Sequence, residues 1–182
     1  MKTGLLLAVS FFGLTGLPAA PLRSQGLSCD DSTFTIDIRA RTVAGVSLDM
    51  RADTLAELLG PERISRSVEY LEGEASPLYL LDICGHRLAR HWNGLSWRDP
   101  VFRTEEGVGV GMPLATFDSI YGSGKAMWSE AGIVIAYPFD DREFFAMIDE
   151  GCTTESRTGE PTARSRDCEV LRLWIPFQSL SE

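Results

Sequence analysis

The chain has 182 residues with 26 acidic side chains against 17 basic ones, a net charge of −9, and 44% hydrophobic residues. A chain of this size can bury a core without a metal to hold it together. Its acidic balance argues against nucleic acid and anionic membrane surfaces as partners.

At the N-terminus, Lys2 precedes an uncharged stretch from Thr3 to Leu22 whose apolar heart is Leu5-Leu6-Leu7-Ala8-Val9. A basic start, an apolar middle and a small-residue exit make residues 1–26 read as a secretory signal peptide, with the cut expected in the Gly26 to Ser28 region. A membrane anchor needs about 20 apolar residues, and Gly, Ser, Thr and Pro dilute this stretch. No stable membrane span is therefore expected in the mature form. A lipid on Cys29 would call for Leu three positions earlier, where Gly26 stands. The expected location is periplasmic or secreted.

Four cysteines follow: Cys29, Cys84, Cys152 and Cys168. An even count in an exported chain suggests two disulfides. The run between Cys152 and Cys168 is polar, with no apolar residue larger than Ala163, so a bridge is the natural way to close it. The remaining pair is then Cys29 with Cys84.

Laid on itself, the chain repeats. Residues 46–60, VSLDMRADTLAELLG, match 108–122, VGVGMPLATFDSIYG, at a constant offset of 62 residues. Each copy reads as a strand, a tight turn and a short helix closed by a glycine, Gly60 or Gly122, in the left-handed region. Leu55, Leu58 and Leu59 share one helical face, as do Leu114, Phe117 and Tyr121. Leu58 and Ile120 are both expected to be buried. Strands are expected at Leu78 to Cys84, Arg87 to Trp92, Leu95 to Trp97, Ile133 to Tyr137, Glu143 to Ile148 and Val170 to Ile175. Asn93-Gly94 is expected as a two-residue hairpin turn. The reading is an α+β fold: two tandem units of strand, short helix and antiparallel strands, forming one sheet layer with the helices on one face. Residues 27–106 make the first unit, and 107–182 the second, with a disulfide-closed loop at 152–168.

The string of apolar strand, Gly111-Met112 (Asp49-Met50 in the first copy), short helix and closing glycine resembles the repeat of the SmpA/OmlA (BamE-like) lipoproteins. Its tandem arrangement is similar to that of the β-lactamase inhibitor protein. The resemblance implies extracytoplasmic protein binding without catalysis.

Catalytic motifs are not found. Gly122-Ser123-Gly124-Lys125-Ala126 lacks the first Gly and the closing Ser or Thr of a phosphate loop, and follows a helix instead of opening one. Gly107, Gly109 and Gly111 do not have dinucleotide-binding spacing, and no G-x-S-x-G elbow is present. His86 and His91, five apart on a strand, point to opposite faces. Either could serve a triad with a distant Ser and acid, but nothing in the sequence selects one. No metal, cofactor or catalytic residue is assigned. The candidate partner-binding residues are Trp92, Trp97 and Tyr137, aromatics on sheet strands that serve either as core or as anchors for a partner. The expected function is an exported, non-catalytic protein-binding or scaffold module of the bacterial envelope or secretome, inhibitor-like if the resemblance holds. Its rivals are a small extracytoplasmic hydrolase with a dispersed active site and a structural envelope component.

Overall fold

The computed structural model describes residues 27–71, 73–129, 132–140, 142–155, 161–163 and 167–176; the expected signal segment, 1–26, lies outside them. The chain begins with a 3-10 turn, Asp31–Phe34, capped by the Asp30 carboxylate, which accepts from the Ser32 backbone N–H at 3.1 Å. Three short strands follow: β1 (Thr35–Asp37), β2 (Thr42–Val43) and β3 (Val46–Ser47). Helix α1 (Ala52–Leu59) leads to β4 (Ile64–Leu71), β5 (Glu74–Ile83), β6 (His86–Arg90), β7 (Gly94–Trp97) and β8 (Arg103–Thr104). Helix α2 (Leu114–Tyr121) leads to β9 (Lys125–Ser129), β10 (Gly132–Phe139) and β11 (Arg142–Ile148). A two-stranded ribbon, β12 (Thr153–Glu155) and β13 (Pro161–Ala163), precedes β14 (Val170–Pro176).

Eight strands form one antiparallel sheet in the order β4-β5-β6-β7-β14-β11-β10-β9, and β3-β2-β1-β8 form a separate small sheet in which β1 and β8 run parallel. This corrects the expected α+β repeat. The molecule is mostly β, with two eight-residue α-helices among the described residues. The strands expected to lead into the helices are not members of the large sheet. Val46–Ser47 belongs to the small sheet, and its counterpart at 108–112 makes one isolated bridge, Gly109 to Arg103. Short helices bury little by themselves, and here the long β-hairpins dominate the architecture.

Local features of the expected units do occur. Both helices stop at a glycine with positive φ, 90° at Gly60 and 80° at Gly122. Leu55, Leu59, Leu114 and Phe117 are buried in one core with Leu81, Leu88, Leu95, Tyr137, Leu173 and Ile175 of the large sheet. Residues from 27–106 and 107–182 thus share that core. Leu58 is only partly buried, and Ile120 is 40% exposed, against expectation. In an eight-residue helix a contact face of about 100° is filled by Leu114 and Phe117, and Ile120 falls outside it. Both expected disulfides are present, Cys29–Cys84 and Cys152–Cys168. No described helix is long and apolar enough to cross a membrane.

Candidate functional site

Side chains of a strand alternate between faces, and the two faces of the large sheet differ in chemistry. One face meets the core. On the other face β6 presents Arg87 and Ala89, followed by His91, while β7 presents Ser96 and β14 presents Arg172 and Trp174. All of these but Trp174 line an open cleft of about 660 Å³ together with Glu69, Leu78, Leu80, Arg98, Asp99 and Pro100. A smaller cavity of about 80 Å³ adjoins it across Glu69, His91 and Arg172. Glu69 of β4 and Ser129 of β9, the two outermost strands, both line this smaller cavity. The sheet therefore curls until its edges face one space. Beside that space Val134, Ala136 and Phe145 form a second apolar cluster with Met127, Met147 and Trp174.

A polar network forms the floor. His91 Nδ1 lies 2.7 Å from Glu69 Oε2, and Nε2 lies 2.8 Å from Ser96 Oγ. A carboxylate only accepts, so Nδ1 carries the proton and Nε2 accepts from the Ser96 hydroxyl. Arg172 Nη2 donates to Ser96 Oγ at 2.7 Å and lies 3.1 Å from His91 Nε2. His91 and Ser96 are 8% and 1% exposed. Burial pushes the His91 pKa below its ordinary value, opposed by Glu69 and aided by Arg172, so the ring is neutral at pH 7. Burial also lowers the Arg172 pKa; Glu69 opposes that and Arg98 adds to it. The guanidinium nevertheless stays charged at any physiological pH.

Serine to Nε2 and Nδ1 to carboxylate is the connectivity of a hydrolytic triad. The setting differs from a working one. Ser96 sits mid-strand at 1% exposure, and its hydroxyl also accepts from the Arg172 guanidinium. What the network does directly is fix Arg172 in the cleft by one nitrogen.

The aromatic candidates separate. Trp97, 3% exposed, packs into the core and also borders the cleft, and Tyr137 is fully buried in the core. Tyr137 instead donates its hydroxyl to Asp118 Oδ1 at 3.0 Å and stacks on Phe144 at 5.2 Å. Trp92 is 65% exposed. The hairpin register explains this. Arg90 pairs with Leu95 and the His91 N–H donates to the Gly94 carbonyl at 2.8 Å, so the turn residues are Trp92 and Asn93 instead of Asn93-Gly94. Gly94 is required for a different reason: a Cβ there would stand 1.9 Å from Trp174 Nε1 and 2.6 Å from the Ile175 carbonyl oxygen. The two histidines do lie on opposite faces. His86 packs edge-on against Phe34 at 5.1 Å and pairs with Asp99 through Nδ1 at 2.7 Å. Among the described residues no cluster of His, Cys, Asp or Glu is arranged to hold a metal.

No family model matches the chain, and neither does any curated protein. Among solved structures, the chain is similar to the uncharacterized protein yfeY from Escherichia coli, at a TM-score of 0.47 and 10% identity. That alignment covers 69% of this chain and 88% of that one.

Glu69, Ser96 and Arg172 were not singled out by sequence reasoning. Two of them carry a visible signal. Ser96 lies between Leu95 and Trp97, and Arg172 between Leu171 and Leu173, each a polar side chain within an apolar strand. Such residues need buried partners, and each other's neighbourhood is where those partners are found.

Proposed function

We propose that the chain is an exported, non-catalytic binding module that takes its partner in the cleft on the outer face of the curled sheet. One observation carries the reading. A cleft of about 660 Å³ with apolar walls has a fixed polar floor, the Glu69–His91–Ser96–Arg172 network. Concave apolar walls with a few convergent polar groups are the usual make-up of a binding site. Two disulfides support export, since such bonds persist in oxidising compartments. In the test, the protein and its Ala89→Phe variant, which fills the cleft, are each used to retain partners from an envelope extract. Retention by the parent and by an Ile120→Asp control, with loss from Ala89→Phe, is the expected result. Equal retention by all three refutes the cleft as the binding face.

A hydrolase is the second reading, favoured by the Ser96–His91–Glu69 connectivity alone. A fluorophosphonate probe discriminates. Covalent labelling of the parent that disappears in Ser96→Ala would establish a nucleophilic serine and displace the first reading.

A further inference from the structure

We infer that the cleft's ligand is an amphipathic anion, with one carboxylate or phosphate head on an apolar body. The inference rests on the binding reading above and names the chemistry of what is bound.

The charge distribution around the cleft carries the argument. The whole chain bears −9, yet the cleft is lined by three guanidinium groups, Arg87, Arg98 and Arg172. The two carboxylates in the lining are already engaged. Glu69 accepts from His91, and Asp99 accepts from His86 and, at 3.1 Å, from the Val101 backbone N–H. None of the three arginines makes an ion pair among the described residues. Arg172 is partly desolvated, supported by the Glu69 carboxylate and opposed by Arg98, and the lining's three arginines exceed its two carboxylates by one positive charge. Gathering like charges at a part-buried surface costs energy that a bound anion recovers.

Geometry sets the head group. Arg172 spends Nη2 on Ser96 and His91, which fixes the plane of the guanidinium, and among the described residues no bond engages Nε or Nη1. A held, planar fork suits carboxylate or phosphate oxygens. Neutral His91 has its Nε2 lone pair occupied by Ser96, so it adds no competing charge. Leu78, Leu80 and Ala89 supply apolar wall for the rest of the ligand. A polyanion is disfavoured, because beyond the three arginines it would meet the excess acid of the chain. One charged head on an apolar body satisfies both parts of the lining.

The test is a calorimetric titration of the oxidised protein with dodecanoate below its micelle concentration. Dodecyl phosphate, dodecan-1-ol, dodecyltrimethylammonium and acetate are titrated alongside. Both twelve-carbon anions should bind, with the alcohol at least tenfold weaker and the cation and acetate without measurable binding. Arg98→Gln, at an exposed position, should weaken dodecanoate at least tenfold and leave the alcohol unchanged; Arg172→Gln should do the same. Equal binding of alcohol and carboxylate, or dodecanoate binding unaltered in Arg98→Gln, overturns the anionic head. Acetate binding as tightly as dodecanoate overturns the apolar body. Absence of binding by every amphiphile overturns the ligand class. If Ala89→Phe still abolishes partner retention in that case, the cleft remains a binding face for another partner.

Discussion

His91 and Glu69, 22 residues apart in sequence, meet through Nδ1 and Oε2 at 2.7 Å and join the β4–β5 hairpin to the turn between β6 and β7. The bond forms although burial disfavours a charged ring, so His91 is neutral when folded and its pKa lies below the unfolded value. Ser96 and Arg172 face it from the other side. Stability from this group is complete above the unfolded histidine pKa of about 6.5 and is lost as pH falls through the lower folded value. Urea unfolding midpoints should therefore decline on acidification below about pH 6.5. His91→Gln should flatten that part of the profile, and an unchanged profile in the variant would show that other groups set it.

Gly94→Ala should destabilise the fold by about 1–3 kcal/mol or more, the range for forcing atoms into a packed site. The Ile175 carbonyl oxygen, 2.6 Å from the added carbon, belongs to the β14 backbone and cannot swing aside as a side chain such as Trp174 can. Thermal unfolding reads the effect. A change of no more than a few tenths of a kcal/mol would mean that β7 and β14 separate easily.

The two helices allow a comparison within one element. Phe117→Ala removes a fully buried ring and should cost about 3–5 kcal/mol. Ile120→Ala, three residues on and 40% exposed, should stay within about 0.5 kcal/mol. Equal losses by chemical denaturation would place Ile120 in a contact that the fold does not provide.

The disulfides should contribute unequally. Cys29–Cys84 closes a separation of 55 residues and Cys152–Cys168 one of 16. In the chain-entropy model these correspond to about 4 and about 3 kcal/mol. Replacing Cys29 and Cys84 by Ala should thus lower the denaturation midpoint more than replacing Cys152 and Cys168. The reverse order would indicate that the second bridge supports packing beyond its own loop.

The hairpins were legible because their signals are local: β6, β7, β10, β11 and β14 lie where alternation and apolar runs placed strands. The edge strands were not. Ile64–Leu71 carries Ser65, Arg66, Ser67 and Glu69, and half-exposed edges dilute the apolar pattern. The architecture is not legible in the sequence because the similarity between 46–60 and 108–122 does not extend to a whole structural unit. Only the helix and its closing glycine are shared, while the preceding segments pair differently. The site was least legible. His91, Ser96 and Arg172 meet across the paired strands β6, β7 and β14, and Glu69 reaches them from β4, two strands from β6. A residue's partners across three strands leave no spacing in the sequence.

The central claim is that the cleft is the face that binds. Hydroxyl-radical footprinting of the oxidised protein, alone and in envelope extract, tests it most directly by reporting side-chain protection residue by residue. Protection should concentrate at Leu78, Leu80 and Met147, with Val68 and Ile120 labelled as in the free protein. Protection at Val68, Tyr70 or Ile120 with Leu78 and Leu80 unchanged would contradict the account and move the binding surface off the cleft.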